Sequence, residues 1–493
     1  MTSTEPATAP AIVWFRDDLR LADHAALSAA AAHGPVLALY VLDQTGTSGR
    51  PLGGAARWWL HGSLERLAAD LDRRGVPLIL RRGPAREIVP AVAREAGAGL
   101  VAWNRRFEAA GRAADADIAA MLAESGIASF EGAGALLYDP DVPRTGSGGR
   151  FRVFTPFWRA CRALPEPAAP LPVPQDLRGA AGAVSTDALG AWALRPSAPD
   201  WAGGLRDAWE PGEAAAHARL DRFLDTALAT YADARDFVEG ETTSRLSPHL
   251  RFGEITPRQI LAALKRRANT SETRGAEKFL AEIGWRDFSW NLLDQAPELA
   301  TRPLDRRFEH FPWRDDDGAL EAWKRGRTGI PIVDAAMRGL WHTGFMHNRL
   351  RMVVASFLVK HLLIDWRDGE RWFWDTLVDA DPASNTASWQ WVAGCGADAA
   401  PFVRVFNPVL QGERYDPTGA FVRRTVPEIA GLPNSLIHKP WEATAIEFAA
   451  AGIRLGTTYP HPIVDLARGR ARALEAFEAI RAKREAQGDF ERA

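Results

Sequence analysis

Val36-Leu37-Ala38-Leu39-Tyr40-Val41-Leu42 is an unbroken aliphatic and aromatic run, and it is one of a series. With Ala11–Arg16, Pro77–Arg81 and Gly99–Trp103 it reads as a strand. His24–His33, Ala55–Arg74, Ala85–Ala96 and Gly111–Glu124 are the Ala-rich helical patterns set among these runs. Gly34, Gly75, Gly97 and Gly126 follow the helices where a C-cap glycine belongs, and Ile127–Phe130 closes the series as a fifth strand. Strand–helix alternation of this length predicts an α/β unit with a doubly wound, Rossmann-like parallel sheet. Neither GxGxxG nor GxxxxGK[ST] occurs in it, so no standard dinucleotide or nucleoside-triphosphate loop is signalled.

Outward from this unit the composition changes. Leu164 to Pro174 holds five prolines, and the chain stays rich in Pro, Gly and Ala to Pro211, which reads as a long surface linker. Beyond it the chain is helical and rich in Trp, Arg and Asp. Glu213–Ala229, Thr256–Arg267, Gly275–Leu293, Gly318–Arg325, Pro331–Thr343, Asn348–Leu363 and Gly369–Thr376 are the clearest helices, and Val464–Glu485 is a last, charged one. Thr256-Pro257 is a cap with proline at the first helical position. The expected organisation is an α/β domain over 10–134, a linker over 135–212 and a larger all-α domain over 213–485.

The 493 residues are too many for one ordinary core, and 46% hydrophobic with 25% charged residues is the composition of a globular protein. Nineteen tryptophans exceed what such a core needs. The formal net charge of −2 argues against a protein that coats nucleic acid non-specifically. From Glu241 to Lys360, however, twenty Lys and Arg stand against fifteen Asp and Glu, which suits a phosphate-bearing partner as well as it suits a solvated basic face. The two cysteines, Cys161 and Cys395, lack the spacing of a disulfide framework, a zinc site or an iron–sulfur cluster. No signal peptide is read at Met1–Pro10, and no apolar run approaches a membrane span. A cytoplasmic monomer without a membrane partner is expected.

Three clusters could carry chemistry. Glu241-Thr242-Thr243-Ser244-Arg245-Leu246-Ser247-Pro248 offers hydroxyls and turn N–H groups that suit phosphate oxygens, or serve as caps. Glu282, Trp285, Arg286 and Trp290 share one helix, as a surface ion pair with core indoles or as a seat for a flat heteroaromatic ligand. Met346 to Met352 brings Arg349, Arg351 and Asn348 together. Asp379, Asp381, Asn385, Trp389 and Trp391 follow, and either aspartate could hold the Arg351 guanidinium. No His stands at ligand spacing beside these carboxylates, so no metal is expected.

In order along the chain, Val13-Trp14-Phe15-Arg16-Asp17-Asp18-Leu19-Arg20, Thr243-Ser244-x-Leu246-Ser247-Pro248, Glu282-x-x-Trp285-Arg286, Phe345-Met346-His347-Asn348-Arg349-Leu350-Arg351, Asp379-x-Asp381, Asn385, Trp389-Gln390-Trp391 and Phe406-Asn407-Pro408 resemble the DNA photolyase/cryptochrome family. The match spans nearly the whole chain and is nearest to a bacterial class I photolyase acting on cyclobutane pyrimidine dimers.

The resemblance implies FAD folded into a U in the helical domain. Tyr231, Thr243, Ser244, Leu246 and Ser247 match its pyrophosphate and ribose contacts; Glu282, Arg286, Asn348, Arg351, Asp379, Asp381 and Asn385 match the residues around adenine and flavin. Asn385 matches the residue facing flavin N5, where Asn favours the reduced cofactor that repair requires; plant cryptochromes typically carry Asp there. UV-damaged DNA is the implied partner. Trp285 and Trp391 match the aromatic walls of the lesion cavity, which stack on a flipped-out dimer. Asn348, Met352 and Glu282 match the residues reading it, and Arg235, Arg349 and Arg404 match positions near the DNA backbone. The implied reaction passes an electron from excited FADH⁻ to the dimer and back, with Glu282 stabilising charge on the pyrimidine carbonyl. Trp389, Trp366 and Trp313 match the indole chain that reduces oxidised FAD.

An antenna chromophore is implied in the α/β domain, methenyltetrahydrofolate ahead of a deazaflavin. Asn104 and Glu108, after a strand end where open sheets place ligands, are the candidates to hold it. Two positions depart from the family's common pattern: Phe345 stands where many members have Trp, and Gly284 where a larger residue is common. Six-four photolyases carry His at the positions of Asn348 and Met352, so that lesion is not expected. The alternative of another class is a cryptochrome-type blue-light photoreceptor without repair activity. A non-photochemical flavin oxidoreductase is disfavoured by the missing nicotinamide fingerprint.

Overall fold

The computed structural model describes residues 9–45, 49–182, 184–267, 274–399 and 401–490. Its five strands are β1 (Ala11–Phe15), β2 (Val36–Leu42), β3 (Leu78–Arg82), β4 (Leu100–Asn104) and β5 (Ala128–Gly132), joined by α1 (Ala25–His33), α2 (Gly54–Asp72), α3 (Ala85–Glu95) and α4 (Ala109–Glu124). All pairings are parallel and the order is β3-β2-β1-β4-β5. The register sets Ile12 opposite Leu37 and Val101. Every residue of β1 and β2 is buried, as expected of central strands with helices on both faces. On one face Ile12, Trp14, Leu39 and Val101 pack with Val89 and Val92 of α3 and Ile118 and Leu122 of α4. The edges carry charge instead: Arg81 and Arg82 on β3, Glu131 on β5, which blunts edge-to-edge pairing.

The stretch expected as linker is tied to the sheet. Val36 donates to the Arg178 carbonyl at 2.8 Å, and Ala180 donates to the Val36 carbonyl at 2.9 Å. It also contains a helix, Phe154–Ala163, where a linker is expected. Phe157 and Cys161 are its buried face.

Chain contacts divide the protein into two compact units. One comprises residues 1–151, 155–229 and 244–297; the other comprises 152–154, 230–243 and 298–493. The first therefore takes in, besides the sheet, the helices Pro257–Arg266 and Arg274–Gln295. Thr256 caps the former through a reciprocal bond with Gln259, with Pro257 at the first helical position. The second unit is helical, around a core that includes Trp323, Val333, Leu350, Val354, Leu358, Trp366 and Trp389. In it, the single helix expected over Asn348–Leu363 is an α-helix to Ser356 and then a π-helical turn, Phe357–Leu362. The turn ends at Leu363 in the left-handed region (φ 57°).

Candidate functional site

In the second unit the Asn348–Ser356 helix is capped by His347, whose Nδ1 accepts from the Arg349 N–H at 3.2 Å. Burial pushes the His347 imidazole down to about 4, so it caps as a neutral ring. One turn in, the Arg351 guanidinium donates to Asp379 Oδ2 at 2.7 Å and to the Met346 carbonyl at 2.7 Å, and it sits over the Phe345 ring. Phe345 thus sets an aromatic face on this arginine. Of the two aspartates that could have paired with Arg351, Asp379 does. Asp381 instead caps the Pro382–Ala393 helix, accepting from the N–H groups of Ala383 and Ser384 at 3.0 and 2.7 Å.

That helix presents Asn385, Trp389 and Trp391. Asn385 is buried, and its Nδ2 donates to both Oε1 (2.8 Å) and the main-chain carbonyl (3.1 Å) of Glu370. An amide nitrogen has two N–H bonds, so Glu370 occupies both and leaves Oδ1, an acceptor, for whatever lies opposite. Glu370 was not among the residues singled out from the sequence; a buried carboxylate on a Trp-rich helix gives no local signal.

Trp389 lies against the Trp366–Thr376 helix. A Cβ on Gly369 would come within 2.1 Å of its ring, so only glycine lets the indole seat there. Gly369 is three residues from Trp366 and on the same face, which sets Trp389 beside the helix that Trp366 opens. Trp389 also meets Phe373 edge-on at 5.0 Å. Trp366 is fully buried, and Trp313 packs on Phe311 at 4.3 Å. Gln390, between the two tryptophans, is spent on the fold: it donates to the carbonyls of Leu299 and Arg302 and accepts from the Leu304 N–H.

The basic positions of this unit lie among aromatic rings. Arg235 stands over Tyr231, and Arg349 is over Tyr415 and bonded to Asp236 at 2.5 Å. Arg404 is exposed, with its guanidinium over Phe406. Thr243 and Met352 are half-buried, and Asn348 is exposed as the first residue of its helix.

The first unit holds the remaining positions. Ser244 Oγ accepts from the Leu246 N–H at 3.4 Å, and Arg245 between them is left-handed (φ 51°), an uncommon state for a non-glycine residue. Leu246 is buried, and Ser247 opens the next short helix. On the Arg274–Gln295 helix, Glu282 pairs with Lys278 at 3.2 Å, and Arg286 donates to the Ala135 and Leu250 carbonyls. Trp285 is half-buried against Phe288. Gly284 has a physical reason: a Cβ there would meet the Trp158 ring at 2.5 Å. On the same helix Asp287 accepts from the Leu137 and Tyr138 N–H groups, and burial pushes its carboxyl up to about 7.

Among the antenna candidates, Asn104 is buried, donating to Asp18 and accepting from the Ala26 N–H, so its side chain is engaged in holding β4 to α1. Glu108 precedes α4, and desolvation raises its carboxyl. Among the described residues no group of His, Cys, Asp and Glu is arranged to hold a metal, and no helix is long and apolar enough to cross a membrane.

A guanidinium fixed by a buried carboxylate and an amide turned to offer its carbonyl suit a flavin, whose ring presents both acceptor oxygens and an N–H. Residues 279–479 match the family model described as the FAD-binding domain of DNA photolyase, and residues 11–175 match the DNA photolyase model. The chain is 49% identical over 475 residues to a deoxyribodipyrimidine photo-lyase of Agrobacterium fabrum, covering 96% of this chain and 98% of that one. It is 37% identical to Cryptochrome-1 of Arabidopsis thaliana, over 95% of this chain and 70% of the other. A crystal structure described as a bacterial class III photolyase from Agrobacterium tumefaciens superposes with a TM-score of 0.94 at 48% identity, covering 97% and 99% of the two chains. The chain belongs to the DNA photolyase/cryptochrome family and carries its FAD-binding domain. The class III of this solved neighbour stands beside the class I expected from the sequence.

Proposed function

We propose that this protein is a deoxyribodipyrimidine photo-lyase, a carbon–carbon lyase that repairs cyclobutane pyrimidine dimers in UV-damaged DNA with blue light. The observation that carries this reading is the orientation of Asn385. With both its N–H bonds on Glu370, it offers a carbonyl, which pairs with a protonated flavin N5 and disfavours an unprotonated one. When bound and reduced, FAD would supply light-driven electron donation to the dimer, with the electron returning after the cyclobutane carbon–carbon bonds have broken.

The chain's own groups bind and orient. Arg351, fixed by Asp379, holds the flavin edge; Tyr231, Thr243, Ser244, Leu246 and Ser247 line the pyrophosphate and ribose; Glu282, Arg286, Asn348 and Asp381 complete the cofactor's surroundings. By their match to the family's motifs, Trp285 and Trp391 are each assigned to stacking on the lesion, and Asn348, Met352 and Glu282 to reading it. Arg235, Arg349 and Arg404 meet the backbone. Trp389, Trp366 and Trp313 feed electrons for reduction. The α/β domain (10–134) holds an antenna, a folate ahead of a deazaflavin, with Glu108 rather than the engaged Asn104 as its polar contact. The 135–212 linker joins it to the catalytic domain (213–485), in a cytoplasmic monomer.

Illumination of the purified, reduced protein with a thymine-dimer oligonucleotide tests this. Thymine absorbance near 260 nm should return with light and stay absent in the dark. Its failure to return, with FAD bound, would leave the photoreceptor reading.

A further inference from the structure

Lys360 is a buried ammonium without a carboxylate partner among the described residues. Burying a cation without a counter-ion is costly, so its presence calls for a reason. Its Nζ donates to the main-chain carbonyl of Arg404 at 2.9 Å and stands 5.3 Å over the Phe402 ring. Burial, and after it the charge of Arg404, pushes it down to about 8, which leaves it mostly protonated at neutral pH.

The segment it holds, 401–407, is built as anchor, apex and anchor. Phe402 is buried against Phe311 (5.3 Å) and Phe477 (4.9 Å, stacked). Val403 is 50% exposed, and the Arg404 side chain is exposed beside it. The Phe406 N–H then returns to Ser356 Oγ at 3.3 Å. Ser356 and Lys360 continue, one turn on and two turns on, the series begun by Asn348 and Met352. The π-helical turn begins between them, at Phe357.

We propose that Lys360 is a positioning residue for damaged-DNA binding: from the helix that carries Asn348 and Met352 it clamps the main chain of the 401–407 loop, so that Arg404 faces the phosphate backbone. This rests on the reading of Arg404 as a DNA contact. A phosphate so bound would also place an anion near a cation that the protein leaves without a carboxylate. Fixing a loop's main chain from a rigid helix lowers the ordering cost of each phosphate contact that loop makes.

The test uses the FAD-loaded protein in the dark and a labelled duplex bearing one thymine dimer, titrated at several salt concentrations. Lys360→Met should bind about tenfold more weakly, with a salt slope smaller by about one, the signature of one lost phosphate contact. FAD content should be unchanged. Arg404→Ala should match it, and the double variant should be no worse than either. Wild-type affinity and slope in Lys360→Met, alongside a weakened Arg404→Ala, would overturn the proposal and leave the repair reading standing. An unaffected Arg404→Ala would overturn the DNA-facing role of the loop and the proposal with it. If Lys360→Met does not fold, Ser356→Ala removes the second anchor without touching the buried charge. It should weaken binding about threefold, and unchanged binding there would be equally fatal.

Discussion

Glu370 and Asn385 form a buried pair in which a carboxylate fixes an amide, and the chemistry at residue 385 follows from that orientation. Asn385→Asp would put a second carboxylate about where the amide nitrogen now lies, 2.8 Å from Glu370 Oε1. Two like charges so close cannot both ionise, so one proton is retained and its pKa rises above the ordinary value near ~4. A carboxyl whose folded pKa is raised stabilises the fold while it is protonated, and that contribution is lost as pH rises through the new value. The variant's thermal midpoint should therefore fall relative to the wild type between pH 5 and 8, by the equivalent of about 1–3 kcal/mol. Asn385→Ala should show no such slope. A flat difference for Asn385→Asp would mean that Glu370 is not the neighbour that matters.

Packing between two elements decides how Trp389 is held. The Trp366–Thr376 and Pro382–Ala393 helices approach closely enough at Gly369 that the Trp389 ring occupies the space of a Cβ. Gly369→Ala removes that space, and overpacking of this kind costs about 1–3 kcal/mol and moves the ring. Electron transfer falls steeply with separation, so photoreduction of oxidised FAD should slow several-fold. Repair by protein reduced chemically beforehand should keep its rate, because in the proposed reaction Trp389 serves only the reduction of FAD. Equal slowing of both would place the damage at the flavin instead. The pattern of Gly and Trp was visible in the sequence; that this Gly receives this Trp, twenty residues away, was not.

For the whole molecule, FAD acts as a ligand of the folded state. Binding that excludes the unfolded chain stabilises by ~2.7 kcal/mol at a hundredfold excess over Kd. Protein stripped of FAD should melt earlier, and its midpoint should climb as FAD is added back. A midpoint indifferent to FAD would mean that the folded chain does not bind it.

Sequence by itself determined the parallel sheet, since the period of buried strands and the glycines after each helix are local properties that a single stretch displays. It also determined the family, since the motifs stand in order along nearly the whole chain. Tertiary structure alone decided which aspartate holds Arg351 and which caps a helix. It decided that Asn104 serves the sheet, that Gly284 makes room for Trp158, and that Lys360 lies beneath Arg404. Each of these is a contact set to within tenths of an ångström between residues from two to more than a hundred positions apart. Hydrophobic period and residue type say which face is buried; only the packed chain fixes which polar atoms meet there.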